Sequence, residues 1–156
     1  MTNNDVLRRL RFTFDFSDSD MMKLFLSGGQ KATQEEITAW LKKDDDPRYK
    51  SLPDDMLATC LNGLINEKRG KKDGPQPAPE KKLTNNIVLR KLRIAMKLEA
   101  EDMLEILALA NFDLSKHELS AFFRKPDHKH YRECKDQVLR NFLQGLQIQQ
   151  RGESPS

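Results

Sequence analysis

The sequence predicts an all-α fold made of two tandem, pseudo-symmetric four-helix repeats joined by a proline-rich linker. Three observations lead there. The stretch Asn3-Asn4-Asp5-Val6-Leu7-Arg8-Arg9-Leu10-Arg11 returns 82 positions later as Asn85-Asn86-Ile87-Val88-Leu89-Arg90-Lys91-Leu92-Arg93. The same offset holds without a gap over residues 2–70 and 84–152, pairing Asp20 with Asp102, Trp40 with Phe122, Tyr49 with Tyr131 and Gly63 with Gly145. A gapless repeat of this length marks an internal duplication, and two copies suit a pseudo-symmetric pair better than a solenoid. Apolar residues then recur at helical spacing in both copies, while no segment alternates as a strand would. The expected parts are a first repeat over 1–70, a linker over 71–83, a second repeat over 84–152 and a frayed tail over 153–156.

The first helix carries Val6, Leu7, Leu10 and Phe14 on one face, matched by Val88, Leu89, Leu92 and Met96. The asparagines before it are placed to cap its amino end. Phe12 and Ile94 fall opposite the core, so this helix is read as sandwiched between its own copy and a second surface. A second helix begins near Ser17–Asp20 and stops at Gly29, or at the matching Asn111. Glycine and asparagine are the residues that most readily adopt the left-handed conformation of a helix end. The third helix opens on a capping box twice, Thr33-x-x-Glu36 and Ser115-x-x-Glu118, and ends on Lys42-Lys43 or Arg124-Lys125.

A loop with Tyr49 or Tyr131 follows, and Ser51 is placed to cap the fourth helix, with Pro53 near its first turn. That helix buries Met56, Leu57, Cys60, Leu61 and Leu64, answered by Val138, Leu139, Phe142, Leu143 and Leu146. Gly63 and Gly145 sit in its middle, where glycine costs about 1 kcal/mol relative to alanine. Close approach of another backbone explains them most simply, with two fourth helices, or a partner chain, meeting there. A homodimer through helix four is the corresponding expectation. Between the copies, three prolines and a glycine with charges at both ends read as extended chain.

Hydrophobic residues make up 37% and charged residues 33% of the chain, with a formal net charge of +3. Residues 84–156 hold 12 Lys and Arg against 10 Asp and Glu, and residues 2–70 hold 11 against 12. Neither repeat has the overall basic excess of a protein that binds by neutralising phosphates, although a local patch is compatible with these numbers. No apolar run approaches the roughly 18–20 residues that span a bilayer. The amino terminus has no apolar stretch of signal-peptide type, so a cytoplasmic location is expected. Cys60 and Cys134 align with Phe142 and Leu52, which reads as two reduced, buried thiols.

The chain resembles the YehS-like family of bacterial proteins, built from a twice-repeated domain of unknown function. The resemblance is carried by Asn85–Ala95, by Leu61-Asn62-Gly63-Leu64-Ile65-Asn66-Glu67-Lys68-Arg69-Gly70, and by Pro126-Asp127-His128-Lys129 leading into Arg132-Glu133-Cys134. It covers essentially the whole chain. It implies the duplicated architecture and no particular activity, substrate or ligand.

The duplicated arginines Arg8, Arg11, Arg90 and Arg93 flank the apolar face of the first helix. There they suit a phosphate or carboxylate on a partner, or an internal ion pair with Asp20, Glu36 or Asp54. Helices two and three have the outline of a helix-turn-helix, whose second helix reads base edges when it binds DNA. The basic residues for that role, Lys116, His117, Arg124, Lys125, Lys129 and Arg132, lie in the second repeat; the first offers Gln34, Glu35 and Glu36, which repel phosphate. His117, His128, His130 and Cys134 invite comparison with zinc ligands. However, Asp46, Arg48 and Leu52 replace the last three in the first repeat, and the spacing matches no known site. A basic loop before a helix accounts for them, so no metal or cofactor is expected. Nor is there a phosphate-cradling glycine loop or a nucleophile elbow. The sequence therefore points first to a non-enzymatic binding module with an unknown protein partner, acting through the four arginines. The alternative is a nucleic-acid binder acting through the second repeat.

Overall fold

The computed structural model describes residues 1–152; the expectation for 153–156 lies outside them. Among the described residues it contains eight helices and no strand. They are α1 (Asn3–Thr13), α2 (Asp18–Ser27), α3 (Gln34–Leu41), α4 (Asp54–Arg69), α5 (Asn85–Met96), α6 (Ala100–Leu109), α7 (Lys116–Ala121) and α8 (Asp136–Arg151). The chain divides into two compact units, Met1–Leu83 and one beginning at Thr84, and the same four-helix order recurs in each.

Within the first unit α4 packs chiefly against α2, α2 also meets α3, and α1 closes on α3 and α4. The second unit repeats the scheme, with α8 against α6 and α5, and α6 against α7. Leu7, Leu10, Met21, Phe25, Ile37, Trp40, Leu57, Leu61 and Leu64 form the first core; the rings of Phe25 and Trp40 lie 5.4 Å apart. Their counterparts Leu89, Leu92, Met103, Leu107, Leu119, Phe122, Leu139, Leu143 and Leu146 form the second. Burying each such side chain contributes about 1.5–3 kcal/mol.

The helix ends explain the boundaries. The capping boxes Thr33–Glu36 and Ser115–Glu118 are both formed, as are Thr2–Asp5 and Ser17–Asp20, while at the start of α6 the Glu99 amide donates to Asp102. Asn111 is left-handed at φ 58° and Gly29 has φ 105°, so the second helix of each unit turns off at the expected place. Three expectations are corrected. The first helices are capped by Thr2 and Thr84, because Asn3 and Asn85 already lie inside the helix, where they cannot serve as the acceptor before it. Helix α4 starts at Asp54 with Pro53 as its uncapped N-cap; Ser51 comes too early, because the Leu52 amide is tied to Asn4. Helix α7 stops at Ala121, short of Arg124-Lys125, and the chain continues in turns through Phe122 and Phe123.

The mid-helix glycines find their reason inside each unit. A Cβ on Gly63 would stand 1.8 Å from the Leu24 carbonyl oxygen of α2, and one on Gly145 1.9 Å from the Ile106 carbonyl oxygen of α6. The close backbone is therefore that of the second helix of the same repeat, not of another fourth helix. These glycines give no support to a homodimer through helix four. The linker, in turn, has no helix and is held to the first unit: Asn66 donates to Gln76 at 2.8 Å, and the Leu83 amide donates to Asp54 at 2.8 Å.

Candidate functional site

The loop between the third and fourth helices is the part of each repeat that the duplicated asparagines position. Asn4 is buried, and its Nδ2 donates to the carbonyls of Trp40 at 2.9 Å and Lys50 at 2.8 Å. Its Oδ1 accepts from the Leu52 amide at 3.0 Å and from the Tyr49 hydroxyl at 3.1 Å. Asn3 donates to the Leu52 carbonyl at 3.0 Å and to Asp54 at 2.6 Å. Asn86 repeats the arrangement with the carbonyls of Phe122 and Arg132 and the Cys134 amide, and Asn85 with the Cys134 carbonyl and Asp136. An asparagine amide supplies two donors and an acceptor on one plane, which is what a loop passing over a helix start requires. One bond is missing in the second unit: among the described residues the Tyr131 hydroxyl has no partner, whereas Tyr49 is tied to Asn4.

The four arginines have diverged between repeats. Arg8 pairs with Asp5 and donates to the Lys42 carbonyl at 2.8 Å, and Arg11 lies 3.6 Å from Asp18. The acids involved are thus neither Asp20, Glu36 nor Asp54, which serve helix starts. In the second repeat Ile87 replaces Asp5 and Ala100 replaces Asp18, so both acids are gone. Arg93 instead donates Nε to the Leu98 carbonyl at 3.1 Å and stacks its guanidinium 4.7 Å above the Phe123 ring, a contact that suits a delocalised cation. Arg90 is exposed and makes no ion pair among the described residues.

The structure gathers most of the basic residues predicted in the second repeat. His117, Arg124, Lys129 and Arg132, with His130 and Tyr131, line an open depression of about 350 Å³ between α7 and the following loop. Beside it lies a second depression of about 440 Å³, bounded by Leu114, Phe122, Val138 and the ion pair of Glu133 with Lys135. Glu118, Tyr131 and Arg132 border both. Two of the predicted residues are placed differently: Lys116 pairs with Glu101 at 2.6 Å, and Lys125 is exposed and lines neither depression. Arg132 stands 4.0 Å from Glu118, and Arg124 donates to the His130 carbonyl at 3.1 Å. The Ser115 amide, donating to Glu118, holds that carboxyl below its usual range.

The two equivalent loops reach the same turn by different chemistry. In the first, the Arg48 amide donates to Asp46 at 2.8 Å, and the Arg48 side chain, also bound there, keeps that carboxyl below the usual range. In the second, the His130 amide donates to His128 Nδ1 at 3.0 Å. An imidazole with its proton on Nε2 has taken the carboxylate's place, and the turn survives without the negative charge. Over residues 42–50 four cations face three aspartates; over residues 124–132 four cations face one. Aligning the two loops exposes this patch, including Tyr131, which the sequence does not mark for binding, and His130, which it marks only for comparison with zinc ligands.

Among the described residues no group of three or more His, Cys, Asp and Glu side chains is placed to hold a metal ion. Cys60 and Cys134 are free and buried, and burial pushes both thiols up to about 12. Such thiols are poor nucleophiles and poor metal ligands at neutral pH.

A family described as "Protein of unknown function (DUF1456)" matches residues 3–70 and again 85–152, the two repeats. The chain is 45% identical over 151 residues to "Uncharacterized protein YehS" of Escherichia coli (strain K12), covering 96% of this chain and 97% of the relative. No solved structure matches. Two family matches, one on each four-helix unit, together with a relative similar from end to end, place this chain in the DUF1456 family.

Proposed function

We propose that the chain is a cytoplasmic binding module, without catalysis of its own, whose second repeat carries the recognition face for an anionic macromolecular partner. The observation that carries this reading is the divergence of one loop between two otherwise matching repeats. The first repeat spends its loop internally, with Tyr49 on Asn4, Arg48 on Asp46 and Arg8 on the Lys42 carbonyl. The second turns His117, Arg124, Lys129, Tyr131 and Arg132 toward one open depression. Clustered cations with few compensating acids attract and orient a polyanion. Three of the four helix-one arginines, by contrast, have contacts within their own repeats. No described helix is long and apolar enough to cross a membrane, and two protonated thiols suit a reducing compartment.

Salt elution from heparin tests this against the arginine surface. Arg124→Glu with Lys129→Glu is expected to elute at clearly lower salt than the parent chain, with the salt slope reduced by about 2. Arg11→Glu with Arg90→Glu changes the net charge equally and is expected to shift elution far less. The reverse order would move the binding face to the first helices.

A further inference from the structure

We infer that the paired depressions of the second repeat seat a nucleotide unit of a single-stranded nucleic acid, with Tyr131 as the stacking surface between phosphate and base. This rests on the reading of the second repeat as a polyanion-binding face and names its ligand. The two depressions differ in chemistry. The one at Arg124, Lys129 and His117 is suited to phosphate, because its cations outnumber its carboxylates and Glu118 is already turned to the Ser115 amide. The other has apolar sides from Leu114, Phe122 and Val138, and its polar edge is balanced, with Glu133 paired to Lys135 at 3.3 Å and Glu118 facing Arg132. Apolar walls suit the flat ring of a base, and the balanced charges there lack the cation excess that draws phosphate to the first depression, which sets which end of the nucleotide goes where.

Tyr131 borders both halves, half-buried, with a hydroxyl that makes no bond among the described residues. A ring released from the clamp that holds its counterpart Tyr49 is available for stacking. Arg132, which shares the same border, stands 4.0 Å from Glu118 and presents a mostly exposed side chain. A duplex fits this arrangement poorly, since its bases are stacked away from such a ring. Helix α7 has only six residues, and Lys116 at its start is paired with Glu101, so a groove-reading helix is not offered. An acidic peptide would meet the phosphate half equally well but has no flat ring to set against Tyr131.

The test is fluorescence anisotropy with a labelled single strand of about 12 nucleotides, its duplex, polyglutamate, and AMP as competitor. The single strand is expected to bind at least about tenfold more tightly than duplex or polyglutamate, with AMP competing only weakly. Tyr131→Ala is expected to weaken it about tenfold or more, and Tyr131→Phe hardly at all, because stacking needs the ring and not the hydroxyl. Circular dichroism of both variants verifies that they are folded. Polyglutamate or duplex binding as tightly as the strand, or Tyr131→Ala binding like the parent, overturns the nucleotide assignment and leaves the basic face standing. AMP competing as well as the strand would make free nucleotide the ligand and overturn the strand. Failure of every polyanion to bind overturns both.

Discussion

Asn4→Ala is expected to lower the stability of the protein by about 3–5 kcal/mol, a large share of the roughly 5–15 kcal/mol typical of a folded domain. The asparagine side chain bridges α1 to four separate groups: the carbonyls of Trp40 and Lys50, the Leu52 amide and the Tyr49 hydroxyl. Alanine leaves several of these without a partner at a buried position, and each such group costs about 1–3 kcal/mol before water relieves it. Asn4→Asp sharpens the prediction. It keeps the shape and the acceptor yet removes both donors, placing a carboxylate against two carbonyl oxygens, so it should destabilise at least as strongly as alanine. Asn86→Ala is expected to cost somewhat less, because Tyr131 does not take part. Urea unfolding followed by circular dichroism measures all three, and a loss below about 1 kcal/mol for Asn4→Ala would show that the clamp does not hold the loop.

Gly63→Ala and Gly145→Ala are the second pair with large expected effects. On an isolated helix the change would stabilise by about 1 kcal/mol. Here the new methyl carbon would lie 1.8 Å from the Leu24 carbonyl oxygen, or 1.9 Å from that of Ile106. The obstacle is backbone rather than a side chain that can swing away, so α2 and α4, or α6 and α8, must separate. Such overpacking typically costs about 1–3 kcal/mol and more where the backbone itself must move. A net loss of about 3 kcal/mol is expected for each, against little change for Ala→Gly at the exposed Ala108 beyond helix propensity. Thermal unfolding would read both, and a stabilised Gly63→Ala would mean that the two helices are not in close contact there.

Much of this architecture was legible in the residues. The 82-residue offset gave the two repeats, the apolar spacing gave the cores, and Thr33–Glu36 and Ser115–Glu118 gave two helix starts. What the sequence hid were interactions across distance. Asn3 and Asn4 look like caps because capping is the local use of asparagine beside a helix; their partners lie 36 to 51 residues away and appear only when the loop folds back. Gly63 announced a close backbone but not which one. The arginines were legible as a repeated feature, while their fates were set elsewhere in the chain. Loss of Asp5 and Asp18 to Ile87 and Ala100, and the aromatic Phe123 in place of Leu41, decide what Arg90 and Arg93 do. The basic face of the second repeat was half legible: its cations were marked, but Tyr131 gains meaning only from a bond that Tyr49 makes and it does not.

One face of the second repeat, and not the helix-one arginines, is expected to meet the partner. At 18.1 kDa the chain suits amide-resolved NMR, and titrating the isotope-labelled protein with the single-stranded oligonucleotide tests that claim most directly. Saturable shifts are predicted to centre on His117, Glu118, Arg124 and residues 128–132, extending to Val138, with the equivalent loop at 42–50 unmoved. Shifts centred on Arg8, Arg11, Arg90 and Arg93, or spread evenly over both repeats, would contradict it.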